Sequence, residues 1–328
     1  LQNYKYLTQN MLKKLEKIKD KDYINISSLF IISLLFLLGF MGPGFWKINS
    51  PNFKFVVFQR DVNTVTNIVN KEEKFNFNNK YLSLDQINKK SKVIKWSNQV
   101  LSSVEKQLPL PRMYFSSIPK NIDEYQIFEK KRVFLSILLP IALRGNELVL
   151  EERKLLKDAF LTNNIYKIEL FAKKYKVKNF KKINFGTLTS SQLKNIKKEL
   201  LIKVNIIPVS MIIAQAIIES GWGASRFAKE GNALFGEWTW KNNDGIKPNG
   251  NLDANFAVKS FKNISESLNS YILNLNRHPA YKEMRNYRSM MFKAGKEIKG
   301  YDTAVYLDNY AEIGLAYVEK VNDMINSN

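Results

Sequence analysis

Cysteine is absent from the 328 residues, and histidine occurs only at position 278. Without cysteine the chain forms no disulfide and no thiolate metal site, which leaves its compartment open. A Ser-His-Asp triad would have to use His278, and a zinc site built from several histidines is excluded. The sequence also has no other metal-ligand motif and no glycine-rich phosphate loop, so we expect no cofactor and no bound metal.

Acidic residues are scarce, with 30 Asp and Glu against 51 Lys and Arg, and the formal net charge is +21. Such an excess predicts a polyanionic partner, which would be nucleic acid, an anionic membrane face or an acidic cell-wall polymer. The alternative is compositional drift, because the sequence is rich in Lys, Asn and Ile, as an AT-rich genome would encode. The charge alone does not choose between them.

Charged residues are missing altogether from residues 23–46, where a nearly continuous apolar run is flanked by Tyr23 and Trp46. The run is long enough to span a bilayer. Five lysines precede it within residues 13–21, and only Lys47 follows closely, so the positive-inside rule places residues 1–22 in the cytoplasm. We therefore predict a single-pass anchor over residues 23–46, which argues against a nucleic-acid partner. A cleaved signal peptide is the alternative, although its apolar core is usually shorter and no small-residue cleavage site is evident.

Residues 47–106 are polar and rich in Asn and Lys, which predicts a stalk with some local structure and weak packing. Beyond an extended, proline-containing entry segment, apolar periodicity predicts helices separated by a lobe after Trp238 that is rich in Asn, Asp and Gly. The predicted fold is mainly α (α+β), a helical domain with a small β-containing lobe, preceded by one transmembrane helix. The predicted helices cover about Asp123–Leu143 with an interruption at Pro140, Leu148–Leu161, Ile165–Lys174, a helix capped by Thr189 and Gln192 up to Val204, Ser265–Leu275, Ala280–Arg288, Gly295–Gly300 and Asn309–Asn326.

A nearly all-apolar helix beginning after Pro208 ends at a single carboxylate, Glu219, followed by Ser-Gly-Trp-Gly. Burial and the negative end of the helix dipole both raise the pKa of a carboxyl at that position. A carboxyl that stays protonated is what the hydrolysis of a glycosidic bond needs as its general acid. Gly221 and Gly223 allow a sharp turn there, and Trp222 offers an apolar face to a sugar or packs in the core. The alternative is an exposed glutamate before an ordinary glycine cap.

The string AQAIIESGWGASRFAKEGNALFGEW resembles the glucosaminidase domain of bacterial peptidoglycan hydrolases, glycoside hydrolase family 73. It is most similar to the Bax-like branch of Gram-negative bacteria. The stretches LPLPRMYFSSIPKN, KKRVFLSILLPIALRGNELVLEER, ESLNSYILNLNRHPAYKEMR and LDNYAEIGLAYVEKVNDMI fit the same branch in the same order. The resemblance spans roughly residues 107–326. It divides them into a helical N-terminal part, 107–187, and a catalytic domain, 188–328.

The resemblance implies a lysozyme-like fold and hydrolysis of the N-acetylglucosamine-β-1,4-N-acetylmuramic acid bond in peptidoglycan glycan strands. It implies a domain in the periplasm, held by an anchor in the inner membrane. The family's general acid falls on Glu219, and its tyrosine falls on Tyr310, with Tyr317 following. A tyrosine hydroxyl would position a water or the N-acetyl group, and the alternative is packing along one helix face.

Three further positions follow from the same resemblance, and two tryptophans lie just after them. Asn232, Phe235 and Gly236 match the family's Gly-Asn-x-Leu-Phe-Gly run, where Asn232 would bind an N-acetyl group and the others would shape the floor of the cleft. Trp238 would flank a sugar, with Trp240 in the same role, and core packing is the alternative for either.

The second carboxylate departs from the family's pattern, since residues 241–256 contain no Glu. Asp244 and Asp253 are the acids available to hold a water, with Glu237 just upstream, and each is alternatively a solvated turn residue. Without such a base, the substrate's own acetamido oxygen would attack. A lytic transglycosylase and a non-catalytic peptidoglycan-binding or scaffold protein therefore stay open as alternatives. For His278, capping or packing is the preferred interpretation.

Overall fold

A computed structural model describes residues 80–81, 89–240, 244–248 and 255–327 of the chain. The predicted cytoplasmic segment 1–22 and the predicted anchor 23–46 lie outside the described residues. So do most of the predicted stalk and the candidate Asp253.

Helices make up most of the described residues, and two small sheets accompany them. Two-residue strands β1 (Lys80–Tyr81) and β2 (Met113–Tyr114) pair in parallel, and β3 (Trp238–Thr239), β4 (Gly245–Ile246) and β5 (Ala257–Lys259) form an antiparallel sheet in the order β3-β5-β4. The prediction of a mainly α fold with a small β lobe is confirmed. In chain order the helices are α1 (Lys90–Glu105), α2 (Ile127–Leu161), α3 (Ile165–Lys174), α4 (Ser190–Lys203), α5 (Val209–Ser220), α6 (Arg226–Gly231), α7 (Ile264–Arg277), α8 (Lys282–Lys293), α9 (Gly300–Ala304) and α10 (Leu315–Ser327), with 3₁₀ turns at Ile122–Glu124, Phe180–Lys182, Phe185–Thr187 and Pro279–Tyr281.

Helix α2 is the centre of the fold and contacts α1, α3, α5 and α7. Among the described residues it is the helix that is long and apolar enough to cross a membrane, with a mean hydropathy of 1.7. However, 61% of that apolar window is buried inside the fold. The apolar character of α2 therefore matches its place in the core, and it is separate from the predicted anchor.

Helix α2 runs unbroken through Pro140, so the predicted interruption at that residue is wrong. A proline inside a helix has no N–H for the carbonyl four residues earlier, here that of Ser136. The indole Nε1 of Trp96 in α1 donates to that carbonyl at 3.4 Å, so the lost helical bond is replaced from a neighbouring helix. The helix continues because its apolar face is buried and the carbonyl freed by Pro140 has a donor.

Helix α1 lies in the region assigned to a weakly packed stalk, and for this helix that expectation is wrong. Its buried side chains Val93, Trp96 and Val100 belong to the main hydrophobic core, and the Trp96 ring lies 5.8 Å from the ring of Phe115. The polar composition of the surrounding segment concealed an amphipathic helix whose exposed face carries the lysines. The folded unit therefore includes residues before the predicted domain start at 107.

Two helix boundaries near the C-terminus also differ from prediction. The helix predicted over 295–300 is replaced by α9, which begins where the other was expected to end. The helix predicted from Asn309 begins only at α10, because Gly314 adopts a left-handed φ of +55° just before it. Tyr310 therefore lies in a turn, and Tyr310 and Tyr317 do not share a helix face. The predicted capping box at Thr189 and Gln192 is present at the start of α4.

Part of the excess positive charge is buried rather than displayed to a partner. The guanidinium groups of Arg153 and Arg288 donate to backbone carbonyls just after α4, and that of Arg285 donates to a carbonyl just after α7. The ammonium of Lys203 donates to a carbonyl at the end of α3. Burial lowers the pKa of Arg288 to about 9 and that of Arg285 to about 10. Helix C-termini carry negative partial charge, which compensates these cations, and the Lys203 ammonium also pairs with Glu199 at 2.7 Å. The buried cations are Arg153, Lys203, Arg285 and Arg288.

Candidate active site

The site is built at the C-terminal end of α5, where the turn Ser-Gly-Trp-Gly is tightly fixed. Gly221 ends the helix in the left-handed conformation, with φ +57°. The Ser220 hydroxyl donates to the Ala216 carbonyl at 2.6 Å and accepts from the Gly223 N–H at 2.9 Å. A Cβ on Gly223 would lie 3.0 Å from the Phe134 ring, and its φ is +78°, so glycine is required there. These contacts hold the last turn of α5, and Glu219 with it, in one orientation.

Glu219 lies half-buried at this helix end, and its two carboxyl oxygens have different surroundings. The Tyr317 hydroxyl donates to Oε1 at 2.7 Å. Oε2 lies against Gly236, where an added Cβ would be 3.4 Å away. Burial raises the pKa of the Glu219 carboxyl, and the hydrogen bond from Tyr317 partly opposes that rise. A half-buried carboxyl with a raised pKa is suited to act as a proton donor.

Three buried side chains form a hydrogen-bonded chain that ends on this carboxyl. The Tyr271 hydroxyl donates to Oε1 of Gln215 at 2.6 Å, and Nε2 of Gln215 donates to the Tyr317 hydroxyl at 3.0 Å. Tyr317 then donates to Glu219. Tyr317 comes from α10, which packs on α5, and Tyr271 comes from α7. Helices α5, α7 and α10, which are far apart in the sequence, are therefore linked by hydrogen bonds that end at the Glu219 carboxyl.

Tyr310 is brought to the same cluster, but its hydroxyl has a different partner. It donates to the Phe235 carbonyl at 3.1 Å, and its ring stacks on that of Tyr317 at 5.2 Å. Burial raises the pKa of Tyr310 well above its usual value. The ring of Phe235 is itself stacked on Tyr271 at 4.0 Å. Tyr310 therefore fixes the backbone segment that passes beside Glu219.

The segment following α6 carries the other residues of the matched run. Asn232 is left-handed, with φ +53°, and its Nδ2 donates to the carbonyls of Phe261 and Lys262 at 3.0 and 3.3 Å. Its Oδ1 is buried and has no hydrogen-bond partner within the described part of the chain. Gly236 also has a positive φ, +62°, which brings its backbone against Glu219. Asn232 thus ties this segment to the loop before α7, while Gly236 touches the acid.

The candidate second carboxylates are placed in the β lobe. Oε1 of Glu237 pairs with the Lys259 ammonium at 3.1 Å, and its Oε2 accepts from the Ser270 hydroxyl at 2.6 Å. Asp244 is partly exposed and accepts a long 3.5 Å contact from the Thr239 hydroxyl. Both oxygens of Glu237 therefore have partners, Lys259 in β5 and Ser270 in α7, whereas the Asp244 carboxylate has one weak contact.

The tryptophans divide between packing and exposure. Trp222 packs edge-on against Phe134 at 6.1 Å, and the Lys131 ammonium lies 5.0 Å over its ring. By contrast, Trp238 is 52% exposed and Trp240 is 70% exposed. Trp238 stacks on Phe256 at 4.6 Å, and Trp240 meets Trp238 edge-on at 6.5 Å. We call Trp238, Trp240 and Phe256 the aromatic platform.

The described residues contain no group of three or more acids or histidines that could hold a metal ion. The single histidine, His278, accepts through Nδ1 from the Ala280 N–H at 3.3 Å and caps a 3₁₀ turn, as the capping interpretation predicts.

Sequence reasoning missed Gln215 and Tyr271. Gln215 did carry a signal, since it is the only amide in the apolar stretch of α5 and lies four residues before Glu219, on the same helix face. Tyr271 carried none, because it is one of 15 tyrosines and its hydroxyl partner comes from another helix.

Comparisons with known proteins find both a family and a relative for this chain. The profile of the family described as Glucosaminidase, Mannosyl-glycoprotein endo-beta-N-acetylglucosaminidase, matches residues 194–328. The chain is 30% identical over 224 residues to "Protein bax" of Escherichia coli (strain K12), a match that covers 66% of this chain and 72% of that protein. No solved structure matches the chain. The match to the family profile begins within α4 and includes Glu219, the three tyrosines Tyr271, Tyr310 and Tyr317, and the β lobe. The chain therefore belongs to the Bax-like glucosaminidase family.

Proposed function

We propose that this protein is a membrane-anchored peptidoglycan hydrolase that cleaves the N-acetylglucosamine-β-1,4-N-acetylmuramic acid bond, with Glu219 as its general acid. The observation that carries the proposal is the half-buried Glu219 carboxyl, whose pKa is raised by burial and whose Oε2 lies beside partly exposed Gly236. The glucosaminidase family membership supports a glycoside substrate. The predicted anchor at 23–46 supports an inner-membrane location with the catalytic domain in the periplasm, where peptidoglycan is the available glycan.

The proton moves from Glu219 to the O4 oxygen of N-acetylmuramic acid as the bond from C1 of N-acetylglucosamine to that oxygen breaks. In the substrate-assisted route, the 2-acetamido oxygen of the same N-acetylglucosamine attacks C1 and forms an oxazolinium ion. Water then attacks C1 and gives its proton to the Glu219 carboxylate, which restores the acid. The full engagement of Glu237 by Lys259 and Ser270 supports this route over one that uses Glu237 as base.

The remaining candidates take supporting roles in this proposal. Tyr317 holds Oε1 of the acid, and Tyr310 positions the Phe235 carbonyl beside the reacting sugar. Asp244 and Asp253 stay candidates for holding the attacking water. The aromatic platform offers exposed ring faces to a sugar, as carbohydrate sites commonly do. Trp222 contributes to the wall of the site through packing on Phe134.

The test is product analysis on purified peptidoglycan with the full-length protein in detergent. A new reducing end on N-acetylglucosamine, detected by borohydride reduction and mass spectrometry, is the expected result. Glu219→Gln should reduce the rate by about a thousandfold or more, since the general acid is lost. The matched control is Glu152→Gln, because Glu152 also accepts a 2.7 Å hydrogen bond from a tyrosine, Tyr175, but on the α2 to α3 side of the fold.

Two other outcomes would replace the proposal. Anhydro-muramic ends would assign a lytic transglycosylase, which also relies on one glutamate and consumes no water. Peptidoglycan binding without any product would assign a wall-binding or scaffold protein. Undiminished cleavage by Glu219→Gln would reject the assignment of the acid while leaving the activity in place.

A further inference from the structure

We infer that Gln215, held by Tyr271, is a positioning residue that fixes the direction of the Tyr317 hydrogen bond and so places the acid proton of Glu219 on Oε2. This inference rests on the proposed function for its catalytic meaning, but the hydrogen-bond geometry that carries it is independent of the substrate. All three supporting side chains are buried, with exposed fractions of 0% for Gln215, 3% for Tyr271 and 2% for Tyr317.

The direction of these hydrogen bonds follows from which groups can donate and which can only accept. The amide oxygen of Gln215 only accepts, so the 2.6 Å contact with Tyr271 uses the tyrosine proton. The amide nitrogen only donates, so the hydroxyl oxygen of Tyr317 accepts at 3.0 Å. A tyrosine has one proton, and that of Tyr317 is then directed to Oε1 of Glu219 at 2.7 Å.

The consequence concerns which carboxyl oxygen holds the catalytic proton. An oxygen that accepts from Tyr317 is not the one that carries a proton toward it, so the neutral acid holds its hydrogen on Oε2. That oxygen is the one beside Gly236, where both residues are partly exposed. We call the hydrogen-bonded series of Tyr271, Gln215 and Tyr317 the relay. The relay therefore directs the proton away from the core and toward the side that a substrate can reach.

The reverse arrangement of the Gln215 amide predicts the opposite change in the pKa of Glu219, so the direction of that change distinguishes the two arrangements. If the Gln215 amide were turned over, its oxygen would accept from Tyr317, and Glu219 would have to donate from Oε1. The hydrogen bond would then stabilise the neutral acid, and breaking the relay would lower the pKa of Glu219. In the direction we infer, the bond stabilises the carboxylate, and breaking the relay raises that pKa.

The main variant is Gln215→Met, which keeps a similar volume and removes both hydrogen bonds. Tyr271→Phe keeps the ring stacked on Phe235 and removes only the donor to the amide. We expect kcat to fall about tenfold for Gln215→Met and less for Tyr271→Phe, because the acid is less well oriented. KM should change little, since neither side chain reaches the surface. In both variants the alkaline limb of the pH profile should move to higher pH.

A second readout does not need activity. For each variant, the melting temperature of the full-length protein in detergent is compared with that of the same variant carrying Glu219→Gln, from pH 4 to pH 9. The difference changes as Glu219 ionises, so its midpoint reports the carboxyl pKa. The matched control is Tyr175→Phe, which removes a buried hydroxyl hydrogen-bonded to Glu152 and should leave the midpoint unmoved.

The outcomes separate the relay from the function. A midpoint that rises in Gln215→Met supports the relay even if no peptidoglycan product is found, in which case only the proposed function fails. A midpoint that falls, or that stays with the control, overturns the inferred direction even if Glu219 proves to be the acid.

Discussion

A Cβ atom added to Gly236 would lie 3.4 Å from Oε2 of Glu219. The backbone of Gly236 therefore lies beside that oxygen, and both residues are partly exposed. The close approach depends on a φ of +62° at Gly236, a conformation that glycine adopts at little cost and other residues rarely adopt. The family run that ends at Gly236 thus leaves room beside the acid.

Gly236→Ala should lower kcat/KM at least tenfold, because a methyl group would cover Oε2 where the sugar oxygen must approach. It should also cost about 1 kcal/mol of folding free energy through left-handed strain. Gly295→Ala is the matched control, since Gly295 has the same φ of +62° and open space around its missing Cβ. Both variants should lose similar stability in thermal melts, and only Gly236→Ala should lose activity on peptidoglycan. Equal activities would mean that the space beside Oε2 is not used.

Tyr317→Phe should raise the pKa of Glu219, because the hydroxyl that stabilises the carboxylate is removed while burial remains. The general acid must be protonated, so activity is lost as pH rises through that pKa. The alkaline limb of the pH profile should therefore move to higher pH, with a maximal rate about tenfold lower. Rates measured across the pH range on purified peptidoglycan check this, with Tyr175→Phe as the unshifted control. A limb that moves to lower pH would contradict the donor role of Tyr317.

Glu219→Gln should stabilise the protein at neutral and alkaline pH. Burial holds the folded-state pKa of Glu219 above its unfolded value, so the unfavourable charged form develops in the folded protein as pH rises through the folded pKa. The amide keeps an acceptor for Tyr317 and has no charge to desolvate. Thermal melts should show a Tm higher by a few degrees at pH 8, with the gain shrinking toward pH 4. A lower Tm at pH 8 would show that the carboxylate is well accommodated, against the raised pKa.

The sequence was sufficient where local chemistry decides the structure. The capping box at Thr189, the end of α5 at Gly221 and the β lobe after Trp238 each depend on neighbouring residues, and each was predicted. Glu219 was singled out as a candidate because an acid at the end of an apolar helix contradicts the local pattern. The family resemblance then supplied the tyrosines, but their order of contact with the acid needed the structure.

Long-range contacts explain what the sequence did not disclose. The hydroxyl of Tyr317, rather than that of Tyr310, reaches Glu219 because Gly314 delays the start of α10. Arg288 reads as surface charge, but its guanidinium is buried against carbonyls some 80 residues away in sequence, at Asn205 and Ile206. No local pattern encodes such pairings, because they depend on how helices pack.

Trp240→Ala should raise KM for long glycan strands about threefold to tenfold, the range expected for one ring-stacking contact. The maximal rate should change little, because the platform lies in the β lobe rather than at the acid. Tyr166→Ala is the matched control, since Tyr166 on α3 is 71% exposed and Trp240 is 70% exposed. Initial rates over a range of solubilised glycan concentrations separate the two parameters. A KM that rises equally in both variants would show that the aromatic platform does not bind the glycan specifically.

Trp96→Phe should destabilise the fold by about 1–2 kcal/mol, because the Ser136 carbonyl in the middle of α2 loses its donor. Pro140→Ala returns an N–H at the position that normally binds that carbonyl, so the helix satisfies it without help. In the Pro140→Ala background, Trp96→Phe should therefore cost about 1 kcal/mol less, while the loss of ring packing on Phe115 is the same in both. Denaturant unfolding of the wild type, the two single variants and the double variant gives the coupling energy directly. Additive costs would show that α1 is held to α2 by apolar packing alone, and that the indole N–H does not explain how the helix continues through Pro140.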